Sequence, residues 1–269
     1  GSRDNTPVVL TGSADGTVTY GNDSVTVDAS HTQEGYLMVS YSGSNSKVKL
    51  QITGSDEITY TYNLHDGYET FPLTSGSGSY TVGVFENIEG TSYSTLFTQA
   101  IDVTIQDEFG PYLYANQYVN FSADSKVISK AMELSASAND DLEVIENVYN
   151  YIITNFTYDY DKAASVQSGY LPDVDEVLAS QTGICFDYAA VMASMLRCER
   201  IPTRLEVGYM GDVYHAWIST YIKDKGWVNG IIEFDGNDWK LMDPTFASTS
   251  SDPKDFLTQT DEYITKYVY

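Results

Sequence analysis

The chain has 269 residues, 42% of them hydrophobic, too long for one ordinary domain of roughly 100–150 residues and suited to two. Its formal net charge is −24, shared between three basic against fourteen acidic residues up to position 108 and eleven against twenty-four beyond, so neither half is built to hold nucleic acid. No apolar run approaches the roughly 20 residues that a bilayer-spanning helix needs, and two cysteines exclude a disulfide framework.

From about Thr17 to Ile105 apolar positions alternate, as in Val48, Leu50, Ile52 and again in Tyr80, Val82, Val84. Turn-formers such as Gly43-Ser44-Asn45 and Ser75-Gly76-Ser77-Gly78 separate these runs. Short strands at such spacing predict an all-β, Ig-like antiparallel sandwich over 1–108. The aromatic stretch Phe109-Gly110-Pro111-Tyr112 reads as a connection, and 109–269 as a second domain, of α+β class, able to fold alone.

Helices are expected over Asp124–Ala138 and Asp140–Ile153, each opening on acidic residues that favour a helix N-terminus, and a short third one over Asp173–Ala179 after Pro172. The strongest helical pattern runs from Cys185 to Arg200, where Ile184, Tyr188, Val191, Met192 and Met195 repeat on one face until Pro202. Strands are expected over Arg204–Met210, Tyr214–Ile222 and Trp239–Asp243.

His31 and His65 fall among the sandwich strands, which leaves His215 as the histidine of the second domain. Cysteine, one local histidine and a following Asp243 form the inventory of a nucleophilic Cys-His-Asp site, although any domain of this size holds such residues. Position favours Cys185. It begins a helix, where unpaired N–H groups are expected to lower the thiol pKa, while Cys198 lies inside the apolar stripe as an inert thiol. Asp187, two residues on, opposes the thiolate, and His215 is expected to supply the compensating charge.

Gly183-Ile184-Cys185-Phe186-Asp187-Tyr188-Ala189, Ile201-Pro202-Thr203-Arg204, Gly208-Tyr209, Tyr214-His215-Ala216-Trp217 and Trp239-Lys240-Leu241-Met242-Asp243 resemble, in this order, the motifs of the transglutaminase-like superfamily. The resemblance spans roughly 150–250 and is to the bacterial secreted type. It implies a papain-like core in which Cys185 is nucleophile, His215 general base and acid, and Asp243 the orienter. Phe186 stands where the family often has Trp, which keeps a stacking surface and loses an indole donor. Papain-like enzymes use an upstream glutamine at the oxyanion, at a longer spacing than Gln181 has here; the alternative for Gln181 is an ordinary helix-end residue. Tyr158 and Tyr160 are expected to shape the cleft wall, and Arg204 to form a structural ion pair.

More residues separate the histidine and aspartate motifs than is common in the family. A three-strand meander would leave His215 and Asp243 two strands, about 9.5 Å, apart. Direct pairing is therefore expected, with Ile222 near Asn237, Lys223–Phe234 as an excursion, and Asp243 opposite Ala216. The first oxyanion donor is expected to be the Cys185 N–H. No cofactor or metal is expected, and the calcium requirement of animal transglutaminases does not carry over.

The functional expectation is an acyl-transfer enzyme on peptide or glutaminyl amide bonds of a protein or peptide, with hydrolysis favoured over cross-linking. Its rival is an inactive surface module whose 23 tyrosines recognise a glycan or protein. Abundant Ser, Thr, Gly and Tyr with few Lys fits a secreted or cell-surface protein, one that a cell wall could hold; Gly1-Ser2 reads as a vector remnant and the export signal as already trimmed.

Overall fold

A computed structural model describes residues 3–234, 239–242 and 263–269, which form two compact units: Thr11–Gln117, and Gly1–Leu10 together with Tyr118–Tyr269.

The first unit contains strands β1 (Thr19–Gly21), β2 (Val25–Asp28), β3 (Tyr36–Tyr41), β4 (Val48–Thr53), β5 (Thr59–Asn63), β6 (Glu69–Pro72), β7 (Gly78–Glu89) and β8 (Ser92–Val103). They make two four-stranded antiparallel sheets, ordered β1-β2-β3-β6 and β5-β4-β7-β8, and the chain crosses between them after β3, β5 and β6. Alternation sets the register: Val48, Leu50 and Ile52 are buried while Lys49, Gln51 and Thr53 between them are partly exposed. Many strand tyrosines point inward. Tyr36, Tyr60, Tyr62 and Tyr80 are all buried, and Tyr62 meets Phe71 of the other sheet edge to face at 4.8 Å. Packing thus accounts for these four rings.

The second unit opens with helices α1 (Lys126–Ser135) and α2 (Asp141–Asn155), then strand β9 (Thr157–Tyr158), helices α3 (Tyr160–Ser165) and α4 (Val174–Ser180), strand β10 (Thr182–Gly183) and helix α5 (Cys185–Cys198). Aspartates open three of these helices: Asp140, Asp159 and Asp173 accept the N–H groups of Glu143, Lys162 and Glu176. Strands β11 (Thr203–Met210), β12 (Val213–Ile222), β13 (Gly226–Phe234), β14 (Trp239–Met242) and β15 (Tyr263–Val268) form an antiparallel sheet ordered β14-β13-β12-β11-β15. Helix α5 packs against α1, α2 and α4 and against β11 and β12, so every residue from Asp187 to Cys198 is buried. A one-faced apolar stripe understates this helix, which is enclosed on all sides. Among the described residues no helix is long and apolar enough to cross a membrane.

Two expectations are corrected. The strands bearing His215 and leading to Asp243 do not pair directly, because β13 lies between them. Asp224 and Gly226, at φ 69° and 83°, close a tight turn that folds Gly226 back onto Ile222. From Gly226 to Gly230 β13 pairs with β12, ending opposite Ile218; from Ile231 to Phe234 it pairs with β14. Asp243 itself lies outside the described residues.

The unit boundary also differs from the expected division at 108. The first ten residues belong with the second unit. The Val8 N–H donates to the Cys198 carbonyl at 2.8 Å, and Arg3 pairs with Asp141 at 2.8 Å and with the buried Glu199 at 3.2 Å. Period-two reading could not assign this strap, since its partners lie 138 and 196 residues away. Replacing Arg3 by Met leaves Glu199 buried beside a neutral side chain and should lower the stability of this unit by about 3 kcal/mol. Urea-dependent exposure of the buried Cys198 thiol measures this; a loss under 0.5 kcal/mol would show the strap to be dispensable.

Candidate active site

Helix α5 starts at Cys185 because three local features converge there. Ile184 is extended, at φ −107° and ψ 177°, and its N–H donates to the Asp187 carboxylate at 2.9 Å, so the third helical residue reaches back to cap the first turn. Gly183 leaves room for that carboxylate: a side chain there would stand 2.8 Å from Asp187 Cβ and Oδ2. Strand β10 then pairs in parallel with β9, aligning Gly183 with Tyr158. The pairing sets Tyr158 beside the start of α5.

Cys185 and His215 line one cleft of about 460 Å³, together with Tyr158 and Phe186. His215 is held on β12 opposite Gly208 of β11, where β15 comes so close that a Cβ would stand 1.9 Å from the Ile264 carbonyl oxygen. A bulge between Val207 and Gly208 accompanies this approach, which explains the glycine. Rings make one wall of the cleft. Phe186 meets Tyr118 edge-on at 5.4 Å and Tyr170 at 6.2 Å, and Tyr118 packs on Tyr269 at 3.8 Å.

The other sequence candidates fall elsewhere. Tyr160 is 58% exposed on α3 and meets Tyr158 of the cleft edge-on at 4.9 Å. Gln181 ends α4 in the left-handed region, at φ 53°, and its side-chain amide donates to the Tyr151 hydroxyl at 3.3 Å, so it does not line the cleft. Arg204 stacks its guanidinium 3.8 Å over the Trp227 ring.

The thiol does not follow the expectation of a lowered pKa. Burial pushes Cys185 up, and Asp187 adds to the rise; the backbone N–H groups of Ala216, Phe186 and Cys185 pull it down without overturning the direction. The Ala216 amide shows how near β12 comes to the sulfur, one residue from His215. Asp187 is itself compensated. Lys162 Nζ lies 2.8 Å from its Oδ2 and the Tyr170 hydroxyl donates to Oδ1, two partners the sequence reading did not name. Cys198 is fully buried, donates to the Met195 carbonyl at 3.0 Å, and is pushed up to about 12 by burial and Glu199.

The model of the transglutaminase-like superfamily matches residues 128–230, which takes in α1 through the first half of β13. The chain carries a transglutaminase-like domain. A protein of the archaeon Methanocaldococcus jannaschii, designated only by its UPF0252 family, is 28% identical over 89 residues. That stretch is 31% of this chain and 24% of the relative, so the chain matches about a quarter of that protein's length. Among solved structures, a protein of Cytophaga hutchinsonii assigned as a candidate cysteine protease is 15% identical, with a TM-score of 0.42 over 94% of this chain and 74% of that one. Red sea bream transglutaminase is 14% identical, with a TM-score of 0.31 over 78% of this chain and 48% of that one.

The transglutaminase-like domain thus offers two thiols in opposite settings, Cys185 at the cleft and Cys198 about 20 Å along the same helix at 1.5 Å per residue. Iodoacetamide at neutral pH should modify Cys185 in the folded protein and spare Cys198, as read by peptide mass after quenching. Equal labelling would remove Cys185 from consideration as a nucleophile.

Proposed function

We propose that the transglutaminase-like domain is a cysteine hydrolase of peptide or glutaminyl amide bonds in proteins or peptides. The observation that carries this reading is that Cys185, at the start of a buried helix, and His215 line one cleft. In the proposed cycle His215 takes the Cys185 proton and the thiolate attacks the amide carbon, while the Cys185 N–H donates to the developing oxyanion. Collapse breaks the C–N bond, the imidazolium gives its proton to the leaving nitrogen, and a thioester remains. Water, deprotonated by His215, then attacks the thioester and releases the acid and the thiol. Because burial raises the Cys185 thiol, the imidazolium is the charge that would make a thiolate available near neutral pH. Asp243 is proposed to hold the imidazole tautomer. The composition that reads as exported supports extracellular proteins as substrates.

One observation favours a second reading, an inactive binding scaffold. Strand β13 separates the strand of His215 from the one that leads to Asp243. The two readings differ in what a peptide library returns. The enzyme should cleave or deamidate peptides, detected by mass, with a bell-shaped pH dependence set jointly by the Cys185 and His215 couple, and the same turnover should persist in EDTA. Cys185→Ala should abolish turnover, His215→Ala should lower kcat/KM by about 10³-fold or more, and Asp243→Asn by about 10²- to 10⁴-fold. A library left intact by the wild-type chain, with the His215→Ala change not slowing alkylation of Cys185, would favour the scaffold.

A further inference from the structure

Asp187 is a fully buried carboxylate in the first turn of α5, two residues from Cys185. Its two oxygens are shared among three donors. The Ile184 N–H and Lys162 Nζ meet Oδ2 at 2.9 and 2.8 Å, and the Tyr170 hydroxyl meets Oδ1. Lys162 also lies 4.6 Å from the centroid of the Tyr170 ring, so ammonium, phenol and carboxylate form one closed cluster. Tyr158 from β9 and Tyr188 from α5 also lie within reach of the carboxylate, and burial raises both phenols, as it raises Tyr170, to about 12 in that case. They stay neutral at ordinary pH. Lys162, held in its charged form by Asp187, is therefore the cation of the cluster among these groups.

The cluster joins two jobs that conflict. Capping the helix needs an acceptor at the third position, and where that acceptor is a carboxylate its charge disfavours the thiolate of Cys185. Lys162 sits on α3 and Tyr170 follows it, and Val166 and Gln167 between them line the cleft. The carboxylate thereby staples both ends of this rim segment to the nucleophile helix.

We propose that Lys162 is a positioning residue whose ammonium cancels the field of Asp187 at Cys185, so that the carboxylate caps the helix and pins the cleft rim without suppressing the thiolate. The inference rests on Cys185 being the nucleophile, but it is tested on the thiol itself and not on turnover.

The experiment is the pH dependence of iodoacetamide alkylation at Cys185 in the full chain, with protection of Cys198 in the same samples reporting that each variant is folded. Lys162→Met should raise the midpoint by about one pH unit, since one uncompensated charge several ångströms away acts through a partly polar medium. Asp187→Asn should lower it by a similar amount, and Lys162→Arg should return it to within about 0.2 unit of the wild type. Opposite shifts from the two neutralising changes are the signature that a merely structural clamp would not give. If Asp187→Asn exposes Cys198, the Lys162→Met and Lys162→Arg pair decides. An unchanged or lowered midpoint in Lys162→Met, or a Lys162→Arg midpoint matching it, overturns the proposal. Opposite shifts in a chain that cleaves no peptide would keep the electrostatic role and remove the hydrolase reading.

Discussion

The first turn of α5 has to satisfy two demands that normally exclude each other. A helix enclosed from Asp187 onward has to satisfy its opening N–H groups without closing the end that faces the cleft, where the proposed oxyanion would need a donor. The chain does so with one carboxylate: the N–H of Ile184, just outside the helix, donates to Asp187, and Cys185, the next residue, lines the cleft. Much else follows from that choice. Gly183 must be small because the carboxylate folds back over it, β10 must be extended to deliver Ile184, and β9 runs beside β10, which carries Tyr158 to the cleft.

Burial has a chemical side as well as a mechanical one. The enclosure that fixes the helix also raises the sulfur's pKa, so the site cannot depend on the helix end alone to make a thiolate. In the proposed mechanism that charge comes from side chains on other elements: an imidazole on β12 for the sulfur, an ammonium on α3 for the carboxylate beside it. On that proposal Cys185 stays a thiol until both are in place.

What could be read from the sequence follows the range of the interactions. Alternation in Val48, Leu50 and Ile52 and the helical spacing from Ile184 to Met195 are local signals, and both gave the right element type. The Asp187 conflict with Cys185 was also visible, being two residues wide, but its compensation was assigned to His215, whereas Lys162 meets it from 25 residues upstream on a six-residue helix with no pattern of its own. Strand β13 was missed for a different reason. Asn229-Gly230 carries a hairpin signal, and in the fold Gly230 marks the point where one strand changes partner from β12 to β14. The expected pairing excluded such a strand because it sets the strand leading to Asp243 two strands from that of His215. Arg3 illustrates the limit, since no window of sequence connects it to Glu199.

The strap of residues 3–8 has a consequence for the order of assembly. Everything the sandwich needs has been synthesised by Gln117, but Arg3 has no Glu199 and Val8 no Cys198 until almost all of α5 has followed. The strap is made before the sandwich and docks only after Cys198 and Glu199 have followed, and the sandwich is an insertion in the sequence of the strap's own unit. As long as the chain is whole, docking is intramolecular and the strap sees its groove at a high effective concentration, millimolar for a short flexible tether and lower as the tether lengthens. A cut that released Thr11–Gln117 would turn the strap into a separate peptide, held only at its bulk concentration, and the helix of Cys185 would lose a contact at its far end without any change to its own sequence.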